Sequence, residues 1–131
     1  PLKQEELENV LDKAFERISR FHRELFTIRF GKNVVNLLCR DIVYLESNKR
    51  KVIVHTVRGE YEYYHKLDEA EEELLAISAD FVRIHKAYLV NMEHVEAFQY
   101  EKLALRDGTI LSISEAHRAN VRSRFWEWGS E

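Results

Sequence analysis

Between residues 26 and 64 the apolar side chains never settle into a lasting helical period; they come in short runs broken by polar pairs. Residues 34–38 and 42–45 are dense in Val, Leu and Ile, and residues 51–57 set Val52, Val54 and Thr56 against Ile53, His55 and Val57. A period of two throws successive side chains to opposite faces, as a strand does and a helix cannot. Arg58 and Gly59 break that run before residues 60–64, which read as a further strand. The same grammar returns later. Residues 95–100 and 102–106 read as strands, and Asp107 with Gly108 predicts a two-residue hairpin before residues 109–113. A meander of about seven short strands argues against a doubly wound parallel fold. It predicts a mainly β chain with short helices, an α+β arrangement of antiparallel strands.

Three segments keep a helical spacing. Across residues 3–25 the apolar positions Leu7, Leu11, Ala14, Ile18, Phe21 and Leu25 recur every three or four residues, with acidic groups leading and basic groups following, as the helix dipole favours. This predicts one long amphipathic helix that packs on a neighbour or pairs two chains. It divides the chain into a linker helix over 1–25 and a β domain over 26–131. Leu67, Ala70, Leu74 and Ile77 follow the same spacing, with Asp68, Glu69, Glu71, Glu72 and Glu73 between them, so a short acidic surface helix is expected there. Ser112 followed three residues later by Glu115 reads as a capping box, opening a last helix to about residue 128 with Val121, Phe125 and Trp128 on one face.

Composition excludes several classes. Of the 131 residues, 45% are hydrophobic and 33% charged, a globular balance rather than a disordered one. The single cysteine, Cys39, excludes an internal disulfide framework and a Cys-rich zinc site, and beside Leu37 and Leu38 it reads as a buried, inert thiol. Six dispersed histidines offer no compact ligand pair, and no phosphate loop, nucleophile elbow or dinucleotide fingerprint occurs. No enzyme, cofactor or metal is therefore expected. No apolar run is long enough to span a membrane, the first residues are polar, and a cytoplasmic location is expected. Pro1 in place of Met suggests a fragment of a longer chain.

The net charge of −3 gives no global sign of nucleic-acid binding, but its distribution is uneven. Residues 31–66 carry seven Lys or Arg against four Asp or Glu, whereas residues 67–80 carry six acidic groups and no Lys or Arg. Any anion site is therefore local. Three segments are candidates. The run from Glu46 to Lys51 places Asn48, Lys49, Arg50 and Lys51 between two strands, either as a solvated turn or as a tip whose lysines neutralise phosphate and whose arginine reads guanine. The second, over 81–91, interleaves Arg83, His85 and Lys86 with apolar residues. It is either a presenting platform or a turn in which His85 satisfies backbone groups and Asn91 caps the next segment. The third places Ser114, Glu115, His117 and Arg118 at a helix start, where backbone amides suit a phosphate, though Glu115 also suits simple capping.

In order and spacing these segments resemble one family. Asp41-Ile42-Val43-Tyr44-Leu45-Glu46-Ser47 is followed by the basic hairpin and then by Phe81-Val82-Arg83-Ile84-His85-Lys86-Ala87-Tyr88-Leu89-Val90-Asn91. Val95-Glu96-Ala97-Phe98, Leu103-Ala104-Leu105-Arg106-Asp107-Gly108-Thr109 and Ser112-Ile113-Ser114 complete the pattern. Residues 26–126 are similar to the LytTR DNA-binding domain of bacterial response regulators. The resemblance implies an elongated antiparallel β fold that binds promoter direct repeats through loops. It implies a first contact at Asn48, Lys49, Arg50 and Lys51, with Arg50 the base reader. It implies a second at Arg83, His85 and Lys86, and a third at the last helix start, where Glu115 replaces a frequent Arg. Glu can accept from cytosine but cannot donate to guanine, so the third contact passes to His117 or Arg118 if Glu115 merely caps. Residues 1–11 resemble the end of a receiver domain. That implies a phosphoacceptor domain upstream and a sensor histidine kinase as partner. Few basic groups predict weak binding by one copy and a homodimer on DNA. The acidic helix is expected to face away from DNA. The competing reading is a protein–protein interaction module that has lost DNA readout.

Overall fold

A computed structural model of the chain describes residues 24–129. The helix expected over residues 3–25 therefore lies almost wholly outside the described residues. At its end the expectation fails, because Leu25 opens a strand.

Among the described residues, ten strands form three antiparallel sheets. Strands β1 (Leu25–Phe30) and β2 (Asn33–Leu38) make a hairpin. A five-stranded sheet follows the order β5-β4-β3-β7-β6, from β3 (Ile42–Asn48), β4 (Lys51–Thr56), β5 (Gly59–Tyr64), β6 (Phe81–His85) and β7 (Tyr88–Asn91). The third sheet takes β8 (Val95–Phe98), β9 (Lys102–Leu105) and β10 (Ile110–Ser112). Helix α1 (Leu67–Leu75) links β5 to β6, and α2 (Arg118–Gly129) closes the described chain. The mainly β class with short helices expected from the residues is what forms, and the acidic and closing helices are both present.

The five-stranded sheet is buried on both faces. Leu45, Val52, Val54, Tyr63, Phe81 and Leu89 pack on one side with Phe26 and Ile28 of the β1–β2 hairpin and Leu67, Ala70 and Leu74 of α1. Val43, Val82, Ile84 and Val90 pack on the other with Leu103, Leu105 and Leu111 of the third sheet and Val121 of α2. Burial on both faces removes the alternation, which is why residues 42–45 read as a continuous apolar run and Phe81, Val82 and Ile84 are all apolar around Arg83. A register shift between Ile42 and Tyr44 marks the change of side, with Val43 and Tyr44 both turned toward the second core.

The segment 81–91 is a hairpin with His85 opposite Tyr88 and Lys86-Ala87 at its tip, in which His85 accepts from a backbone amide and Asn91 caps the next turn, as one of the two readings expected. Two local readings are corrected. The loop at Asp107 holds three residues rather than two, since the Leu105 amide donates to the Thr109 carbonyl. Gly108, at φ 95, takes the left-handed position that closes such a loop. The Ser112–Glu115 capping box does not form. Ser112 ends β10, and Ser114 precedes a single tight turn (Glu115–His117) that leads into α2, with its hydroxyl 2.6 Å from His117 Nδ1. Cys39 is 2% exposed, and burial pushes its thiol up to about 12, so it is inert as expected.

Candidate nucleic-acid interface

Antiparallel pairing decides which loops share an end of the sheet. β3 runs out toward Asn48 and β7 runs in from Tyr88, so the β3–β4 and β6–β7 tips emerge side by side. The Ser47 amide donates to the Ala87 carbonyl at 2.8 Å and joins them. Between the two tips and the start of α1 lies an open groove of about 710 Å³. Lys49, Arg50 and Lys86 line it, together with Arg83, Tyr64, His65 and Lys66.

The first tip is a two-residue loop, with Asn48 opposite Lys51 in the register. Lys49 stands at φ 60, a left-handed conformation that a side chain with a Cβ rarely adopts. Asn48, Lys49 and Arg50 are exposed. Lys51 is committed within the sheet. Its ammonium lies 2.8 Å from Glu62 and 5.0 Å from the Tyr64 ring centre, and the bond to Glu62 raises its pKa.

The second tip is braced. Two nitrogens of the Arg83 guanidinium hold it: Nε donates to the His85 carbonyl at 2.7 Å and Nη2 to the Lys86 carbonyl at 2.6 Å. Nη1 donates to Asp68 at 2.7 Å and to Glu71 at 2.8 Å. The Arg83 side chain is only 12% exposed. His85 Nδ1 accepts from the Ala87 amide at 3.1 Å, which fixes the proton of the neutral ring on Nε2. Burial, then the neighbouring Lys86, His117 and Arg83, hold the His85 pKa below the ordinary histidine value. With its backbone pinned, Lys86 projects from the turn as an exposed cation.

The third region abuts the second, since the Ser114 amide donates to the Ile84 carbonyl at 2.9 Å. Glu115 is exposed. Arg118 is half-buried, its Nε donating to the Ile113 carbonyl at 3.2 Å and its guanidinium 5.9 Å from the Tyr100 ring centre.

The sequence-derived candidates thus separate. Asn48, Lys49, Arg50 and Lys86 are exposed at one end, with His85, Ser114, Glu115 and Arg118 beside them. Asn91 is corrected to an interior residue. It is 1% exposed, its Nδ2 donates to the Cys39 and Ile42 carbonyls, and its Oδ1 accepts from Glu93 N. Arg83 is corrected to an internal brace. The acidic helix does not face away, because Asp68 and Glu69 line the same groove as the basic tips. Tyr64 and Lys66 escaped the sequence reading. Tyr64, 75% exposed at the end of β5, sits beside the first tip because it pairs with Lys51.

A model of the LytTr DNA-binding domain family matches residues 32–126. The sensory transduction protein LytT of Bacillus subtilis (strain 168) is 23% identical over 112 residues, covering 82% of this chain and 46% of that protein. The chain therefore spans about half the length of that relative. A solved LytTr DNA-binding domain from Bacillus cereus shares the fold, with a TM-score of 0.65 at 20% identity over 77% of this chain and 95% of its own. With the family's model matched across both tips and the third region, the chain belongs to the LytTR family of DNA-binding domains.

Proposed function

We propose that this chain reads double-stranded promoter DNA at direct repeats and controls transcription as the output domain of a two-component response regulator. The carrying observation is the convergence of Lys49, Arg50 and Lys86, from two separate hairpins, on one groove. Lysines there neutralise phosphate, and an arginine on a two-residue tip can present its fork to guanine O6 and N7. Asn48 and Lys51 flank that tip. His85 supports the second contact, and Ser114, Glu115 and Arg118 supply a third. The exposed carboxylate of Glu115 would favour cytosine N4. Tyr64 and Lys66 add backbone contacts beside the first tip. Two copies would bind adjacent repeats as a homodimer. A receiver domain upstream, phosphorylated by a sensor histidine kinase in the cytoplasm, would shift that pairing.

The test is a selection from random duplex DNA, followed by fluorescence anisotropy on the enriched sequence across a salt series. An enriched direct repeat is expected, with log affinity falling linearly against log salt. No enrichment at any salt concentration would remove the DNA reading and leave the interaction-module reading in its place.

A further inference from the structure

An acidic helix start beside a DNA groove ought to repel its ligand. Here two of its carboxylates, one of them lining the groove, are bonded to the arginine that carries the second tip. Asp68 and Glu71, one turn apart at the start of α1, both accept from Arg83 Nη1. The other two nitrogens of Arg83 hold the carbonyls of His85 and Lys86, the last residue of β6 and the first of the tip. The chain of contacts thus runs from the helix, through one guanidinium, to the backbone that carries Lys86. A guanidinium is planar and presents its donors in a fixed fork, so its position fixes both carbonyls together. The Arg83 side chain is only 12% exposed and Glu71 28%, so that pair is largely shielded from water, while Asp68 reaches in from the surface at 85% exposure.

We infer that Asp68 and Glu71, acting through Arg83, are positioning residues for the DNA contact made by Lys86, an inference that rests on the DNA reading proposed for these tips. The acidic helix start is then part of the interface's scaffold, and its charge is tolerated because Arg83 compensates it locally.

Electrostatics and positioning predict opposite signs, which makes the test decisive. Asp68→Ala with Glu71→Ala removes both charges and both acceptors. Asp68→Asn with Glu71→Gln removes the same charges but keeps acceptor oxygens. Each pair is measured by anisotropy on the selected duplex, with Lys86 intact and with Lys86→Ala. Thermal melting is followed in parallel.

Positioning predicts that the alanine pair weakens binding about tenfold, that the Asn/Gln pair recovers part of that loss, and that neither weakens binding further once Lys86 is gone. The salt slope should fall by about 0.9 in the alanine pair, as one phosphate contact is lost. Unchanged or tighter binding by both pairs would overturn the inference and leave simple repulsion. A loss that persists in full in the Lys86→Ala background would overturn it too, since the helix would then act on the fold at large. If the alanine pair does not fold, the Asn/Gln pair completes the cycle alone. Failure of the wild-type chain to bind any duplex would instead strike the DNA reading, a different result from binding that the variants do not weaken.

Discussion

The two basic tips sit side by side and carry charge in opposite ways. At the β3–β4 tip, the Lys49 and Arg50 side chains make no hydrogen bond or ion pair with any described residue. The loop even holds Lys49 in a left-handed conformation that costs about 1 kcal/mol or more. At the β6–β7 tip, Arg83 holds the Lys86 carbonyl, and the His85 ring and the Ser47 amide on the neighbouring strand hold the backbone of Ala87 next to it. One tip is an adaptable arm whose side chains keep their rotamer freedom in the free chain. The other is a platform whose ordering was completed on folding. Binding to a preordered group loses less entropy, so a single lysine on the platform can matter as much as a richer, looser tip.

The largest effect should come from breaking the platform. Arg83→Met strands two loop carbonyls and removes the partner of two carboxylates. It is expected to cost about 2–4 kcal/mol of stability as well as DNA affinity. Urea unfolding measures the first and anisotropy the second. If stability holds while affinity falls, the brace matters only to the loop. If neither changes, the contrast between the tips is empty.

The arm should behave in the reverse way. Arg50→Ala is expected to cost about 1–3 kcal/mol of binding, concentrated at one base position, with melting unchanged because nothing in the fold depends on that side chain. Lys49→Gly is expected to weaken binding uniformly and lower the salt slope by about 0.9. Its stability should stay within about 0.5 kcal/mol of wild type, since relief of the left-handed strain offsets the added chain entropy of glycine. A clear loss of stability in either variant would mean that the arm is braced after all.

How much of this could be read from the residues depends on where each partner lies along the chain. The alternation of β4 and the face of α1 were legible because each pattern arises within a few residues of itself. β1 was not. Its Phe26 and Ile28 alternate into the core, but Leu25 completes a four-residue spacing that continues the preceding helical stripe. The β6–β7 hairpin was hidden twice. Both its faces are buried, which erases the alternation, and His85-Lys86-Ala87-Tyr88 holds no Gly, Asn or Pro to announce a turn. For the interface, the basic residues were visible in kind but not in use. Arg83 is consumed by carboxylates 15 and 12 positions earlier, and Lys51 by one 11 positions later. Asn91 reaches carbonyls 52 and 49 positions away. Motif order could identify the family, but only the register could say which cations remain exposed to meet a phosphate.

The smallest effect sharpens the comparison through pH. The folded chain keeps His85 neutral more firmly than the unfolded chain does, since burial and the cations Lys86 and Arg83, with His117 nearby, lower its pKa. Below the ordinary histidine value of about 6.5, the unfolded chain therefore binds a proton that the folded chain resists. Stability must fall as pH drops through that window and until the folded pKa is passed. Protonation would also cost the loop its bond, because Nδ1 could no longer accept from the Ala87 amide. No histidine stands on the β3–β4 tip itself, so the arm has no matching term. Melting temperatures of wild type and His85→Gln, compared from pH 7.5 down to 5, should diverge, with the wild type losing more. The difference between the two curves isolates His85 from the carboxylate-bound His55 and His65. Parallel curves would mean that the ring titrates alike in both states and that the platform rests on Arg83 alone.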